Sequence, residues 1–113
     1  MNEFRCLFEE PGKFLLIQAE EITEKVHVNG INVLERIPPQ GGKTTVEKLQ
    51  NNVNAILAQR EKTGQLMIPH VNHPNFQWAT TAEDLMAIKG MKFFEIYNAH
   101  GSVNNKGDKN HCL

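Results

Sequence analysis

An excess of charge of either sign is missing from this sequence. Twelve Lys and Arg stand against thirteen Asp and Glu, leaving a formal net charge of −1. That balance gives no electrostatic footprint for nucleic acid or for an anionic membrane, and it favours small-molecule chemistry or protein contact. Cysteine is scarce: Cys6 and Cys112 lie near opposite ends of the chain, with no CxxC and no zinc-finger spacing. The two read as reduced bystanders, a disulfide between them being the alternative. Long apolar runs are also absent. The longest, at residues 14–17, is too short for a membrane span, and no basic-then-apolar leader opens the chain. The expectation is a soluble protein, cytoplasmic by default.

Nucleophile and nucleotide motifs are missing as well: there is no GxSxG, no GxxxxGK[ST] and no GxGxxG. QGGKTT at residues 40–45 could offer free amides to an anion at a helix start. It lacks the rest of a phosphate-binding loop, and its plain reading is a loop and a helix cap. A chain of 113 residues is a single domain with a modest core.

The patterned segments alternate. KFLLIQ at residues 13–18 follows Pro11-Gly12 and has the length and punctuation of a buried strand that delivers Glu20 and Glu21 at its end. VHVNGINVL at 26–34 alternates around Asn29-Gly30, which suits a strand or hairpin. Val46, Leu49, Val53, Ile56 and Leu57 then fall on one face at helical spacing. Thr44 and Glu47 form a candidate capping box, and Gly64 stands where a C-cap belongs. A short strand at 66–69 leads to His70 and His73. A second short helix, capped by Thr80 or Thr81 and ending at Gly90, precedes a third strand, KFFEIY at 92–97.

Strand, helix, strand, helix, strand is the order of an α/β unit with parallel strands, whose carboxyl ends gather on one side. Under that reading Glu20 and Glu21, His70 and His73, and Asn98 and His100 each follow a strand end, so three segments converge. Imidazole and carboxylate together suit zinc, manganese or iron, and a held metal activates water for hydrolysis. Asn72, Asn75 or Asn98 could orient the ligands. Each of these residues taken alone reads as ordinary polar surface; their joint placement is what points to a site.

The assembled segments resemble the polymerase and histidinol phosphatase (PHP) family of metal-dependent phosphoesterases. AEEIT at 19–23 is similar to the family's strand-end glutamate element, NHPNF at 72–76 to its His-Pro element, and FFEIYNAHGSVNN at 93–105 to a later strand and its histidine-bearing loop. VHVNGINV and IPPQGGKTTVEKLQNNVNAI also look familiar from bacterial members, so the resemblance spans most of the chain. It departs from the family where the opening HxH pair, the histidine soon after it, and the closing DxH pair should be. Asp108 and His111 have the wrong spacing and position for that last pair, and Ala19 stands where the family favours glycine.

The resemblance implies a fold, a site and an activity. The fold expected is a partial βα barrel with mainly parallel strands, a single middle piece (1–113) of a distorted seven-stranded barrel. Glu21, His73 and His100 are the implied metal ligands, with manganese, zinc or iron as the ion; His27 and His70 are lesser candidates. The implied function is hydrolysis of a small phosphorylated substrate, incomplete in this chain. A non-catalytic α/β interaction module is the alternative, and a metal site built across copies a third reading. Unpaired strand edges and exposed apolar faces predict a homo-oligomer in either case.

Overall fold

The segment with the clearest helical period becomes the longest element. In the computed structural model, which describes residues 5–111, α1 covers Arg5–Phe8, β1 Ala19–Thr23, β2 His27–Ile31 and α2 Thr45–Thr63. β3 covers Ile68–Val71, α3 Ala82–Ala87 and β4 Phe93–Phe94. Thr44 caps α2 by accepting the Glu47 N–H at 3.1 Å, and the Glu47 carboxylate accepts the Thr44 N–H in return. Gly64 ends the helix at φ 69, a left-handed turn that glycine makes without a Cβ penalty. Thr81 and Asp84 form the same reciprocal cap on α3.

Helix placement follows the sequence, but sheet direction does not. The sheet order is β1-β2-β3-β4, with β1–β2 and β2–β3 antiparallel and only β3–β4 parallel. A partial βα barrel with mainly parallel strands is therefore incorrect: this is an open, mostly antiparallel four-stranded sheet. Three local readings account for the error. Residues 13–18 have strand composition but join no ladder beyond an isolated bridge between Glu10 and Phe14. The reversal falls at residues 24–26, between Thr23 and His27, rather than at Asn29-Gly30. Glu20 and Glu21 consequently sit within β1, not beyond the end of a strand. The strand expected at 66–69 is shifted to Ile68–Val71 and that at 92–97 shortens to Phe93–Phe94, whereas the β3–α3–β4 unit keeps its parallel sense.

Gly30 shows why the Asn-Gly signal misled. It lies in the middle of β2 and faces α2; a Cβ built there would stand 2.8 Å from Val33 Cγ1 and 3.3 Å from Ile56 Cγ1. The glycine permits close approach of sheet and helix rather than a turn. On this side Ile22, Val28 and Val71 join Leu49, Val53, Ile56 and Met67 in one core. Asn52, fully buried on α2, accepts the Gln40 N–H at 2.9 Å and so ties the incoming loop to the helix.

Burying alternate residues under α2 sends the others to the opposite face. Pairing places Glu21, Asn29, His70 and Phe93 in one row across all four strands, with His27 and Thr23 in the next row of the β1–β2 ladder. No residue from 5 to 17, nor from 89 to 111, is buried. The radius of gyration, 15.4 Å, exceeds the 13 Å or so usual for a compact chain of this length. Among the described residues no helix is long and apolar enough to cross a membrane. Cys6 is exposed, and Cys112 lies outside the described residues.

Gly30→Ala should cost about 1–3 kcal/mol, the usual penalty of forcing an extra methyl into a packed core. Urea denaturation would show this as a lower midpoint with an unchanged slope; an unaltered midpoint would mean that β2 and α2 are not in close contact.

Candidate metal centre

The β1–β2 hairpin and the loop after β3 bring three donor side chains together. Glu21 lies in mid-β1, His27 opens β2 across the reversal, and His73 follows β3 by two residues. Glu21 Oε1 is 3.1 Å from His27 Nδ1 and 3.7 Å from His73 Nε2, and the two imidazole rings meet edge to face at 4.7 Å. One donor atom from each residue lies within 4.8 Å of the other two. Both histidines are largely covered, with side chains 20% and 14% exposed, while Glu21 at 43% stays open to solvent.

Neighbouring side chains hold these three in place. Asn72 Nδ2 donates to Glu21 Oε1 at 2.7 Å. The Glu95 carboxylate accepts the His73 backbone N–H at 2.8 Å and both short contacts from Asn98 Nδ2. Phe76 packs its ring 5.2 Å from that of His73 and 6.1 Å from that of His27. The loop passes through two consecutive left-handed residues, Gln77 (φ 52) and Trp78 (φ 54), and Trp78 stacks on His111 at 4.1 Å. His111 is in turn paired with Asp108 at 2.8 Å.

Of the ligands that the resemblance implies, Glu21 and His73 are brought together and His100 stands outside their group. The His100 ring lies 5.8 Å from Phe76, on the C-terminal loop, and its Nδ1 accepts the Ser102 N–H at 3.2 Å. In a neutral ring that bond leaves the proton on Nε2, so neither nitrogen presents a free lone pair in this arrangement. His27, the lesser candidate, takes the third place. Its signal was the hairpin: residues 23 and 27 pair, so a histidine at 27 falls beside a carboxylate at 21. His70 shares the sheet face, but its Nδ1 is buried without a hydrogen-bond partner.

Of the three asparagines expected to orient ligands, Asn72 does so, and on the carboxylate. Asn98 bonds Glu95 and Asn75 reaches Asn104 O, so none of the three orients an imidazole. Glu95, hidden in the apolar KFFEIY run, was not foreseen. Lys43 and Thr44 donate their N–H groups to the Glu47 carboxylate, which takes the place an anion would occupy at the start of α2. QGGKTT is a helix cap.

The three side chains are a group that could hold a metal ion. Tetrahedral bonds of about 2.0–2.1 Å set ligand atoms roughly 3.3 Å apart; the two Glu21 separations, 3.1 and 3.7 Å, straddle that value, and all three donors lie within 4.8 Å of one another. One carboxylate and two imidazoles also leave coordination positions open, as hydrolytic sites require. In the metal-free arrangement the His27 Nδ1–H donates to the ionised Glu21 carboxylate, so coordination through Nδ1 requires the other tautomer of this ring.

No family model, no curated protein and no solved structure matches the chain. The site therefore rests on its own chemistry. Partial burial pushes the Glu21 carboxyl up, but hydrogen bonds from Asn72 and His27 and the charges of His27 and His73 outweigh it, and the net effect holds it below the ordinary glutamate range. A depressed carboxyl stabilises the fold above its unfolded value, about 4.3, and loses that contribution as pH falls through the folded value. Solvent exposure keeps the contribution small. In urea titrations of the metal-free protein, Glu21→Gln should lower stability at neutral pH, with the difference from the parent closing below about pH 4; a difference that persists in acid would contradict this account.

Proposed function

We propose that the chain binds a divalent metal ion, manganese, zinc or iron, through Glu21, His27 and His73, and that the centre serves hydrolysis of a small phosphorylated substrate. The observation that carries the metal reading is the convergence of three donors from three separate segments within 4.8 Å, on the sheet face turned away from α2. The reaction class is supported by the likeness of AEEIT, NHPNF and FFEIYNAHGSVNN to PHP phosphoesterases. His100, implied by the same likeness, is not part of this ligand set as the chain stands. Bound here, a divalent ion lowers the pKa of a coordinated water and polarises a phosphoryl oxygen.

The chain's own residues have definable parts in this reading. Asn72 holds the Glu21 carboxylate in position and Glu95 fixes the backbone that carries His73. A cleft of about 400 Å³ opens beside His27, lined also by Lys25, Thr45, Phe76 and Thr81. That volume suits a small ligand. The cleft's charge is mixed: Lys25 and the threonine hydroxyls suit a phosphate group, and the Glu24 and Asp84 carboxylates that also line it oppose one.

Metal mass spectrometry on desalted protein, after exposure to manganese or zinc, tests the centre. Near one ion per chain is expected, lost in His73→Ala and His27→Ala and kept in His100→Ala. Phosphate release from phosphomonoesters and phosphodiesters by the loaded protein, abolished by chelation, tests the reaction. A folded parent that retains no metal would overturn the proposal, as would His27→Ala protein that retains a full complement.

A further inference from the structure

Among the described residues, the segment at 14–17 of the N-terminal arm carries strand chemistry that joins no ladder beyond the Glu10–Phe14 bridge. Phe14, Leu15 and Ile17 are each more than half exposed, as are Leu7 and Phe8 on α1. The arm's hydrogen bonds are local: Glu9 N–H to Arg5 O, Glu10 with Phe14, and Leu16 N–H to the Glu9 carboxylate. Across the molecule, β4 ends the sheet as a two-residue parallel strand with an open outer edge. Phe93, Phe94, Ile96 and Tyr97, on or just after it, are all about half exposed or more. Water is a poor neighbour for both surfaces.

One chain cannot bring its own arm and β4 together. The arm joins the sheet at β1, where the Asn32 N–H donates to Gln18 O at 2.7 Å, one bond beyond the β1–β2 ladder. The outer side of β4 lies four strand spacings from β1, about 19 Å. Only Gln18 separates Ile17 from the first residue of β1, and one residue spans at most about 3.6 Å. β1 offers a poorer surface, since AEEIT presents Glu20 and Glu21.

From this geometry we propose that a second copy of the chain supplies the partner: residues 14–17 of each protomer dock as an added strand on the outer edge of β4 of the other. A reciprocal exchange of this kind closes as a two-fold dimer and removes the exposed edge in both copies. Each large side chain concerned has roughly 100 Å² of apolar surface to bury. Two such contacts would cover on the order of 1,400 Å², within the range of stable interfaces.

Sedimentation equilibrium of the whole chain over a dilution series tests the exchange. The parent should show twice the mass of one chain, falling on dilution. Leu15→Pro, which removes a strand donor, and Ile96→Lys, which places charge at the edge, alter exposed positions outside the core. Each should give single-chain mass with unchanged circular dichroism. Mixing the two should restore a dimer held by one of the two contacts, because the second variant still has its arm and the first its edge. A parent of single-chain mass at every concentration would overturn the proposal. So would a mixture that fails to associate, or a Leu15→Pro protein that stays dimeric, the latter being the result expected if like β4 edges pair with one another.

Discussion

Everything in this chain follows from the decision of α2 about which side of the sheet to cover. Leu49, Val53 and Ile56 press on Ile22, Val28 and Val71, and the missing Cβ of Gly30 lets the two layers close. Because side chains alternate along a strand, burying one set fixes the other set on the far face. Glu21, Asn29 and His70 are on that far face because Ile22, Val28 and Val71 are on the near one. A slip of one residue in either antiparallel ladder would turn the carboxylate into the core and break up the donor group. The site's geometry is a by-product of apolar packing.

What could be read from the sequence were the features specified locally. Both reciprocal helix caps, Thr44 with Glu47 and Thr81 with Asp84, are written within four residues and are found where expected. Gly64 as the stop of α2 also follows from a short-range signal. Strand direction is a long-range property, and no periodicity encodes it. Asn29-Gly30 has the composition of a turn, and only the approach of Ile56 from α2 reveals that the glycine is there for clearance. FLLI reads as a buried strand because its composition is that of one; whether a partner exists is not a property of the segment.

The candidate centre was legible to the same degree. Glu21 and His73 could be named from motif likeness, whereas His27 emerges only when the reversal at 24–26 folds it back beside Glu21. Glu95 was hidden for a different reason. An acidic residue between Phe94 and Ile96 gives no hint that it will receive the backbone N–H of a residue 22 positions earlier. Ligands can be suggested by spacing, but the groups that hold them are set by tertiary structure.

Trp78 is the sole tryptophan of the chain, and it sits in the loop that leaves His73, stacked on the imidazole of His111. Two consecutive left-handed residues keep it there, a conformation that bulky side chains adopt only when their surroundings hold them. The protein thus carries its one indole within five residues of a candidate ligand, in face-to-face contact with a titratable ring. A protonated imidazole quenches indole emission more strongly than a neutral one does. Excited beyond the absorption band of Tyr97, the indole emission of the unlabelled protein therefore reports on one loop and its docking to the C-terminal segment.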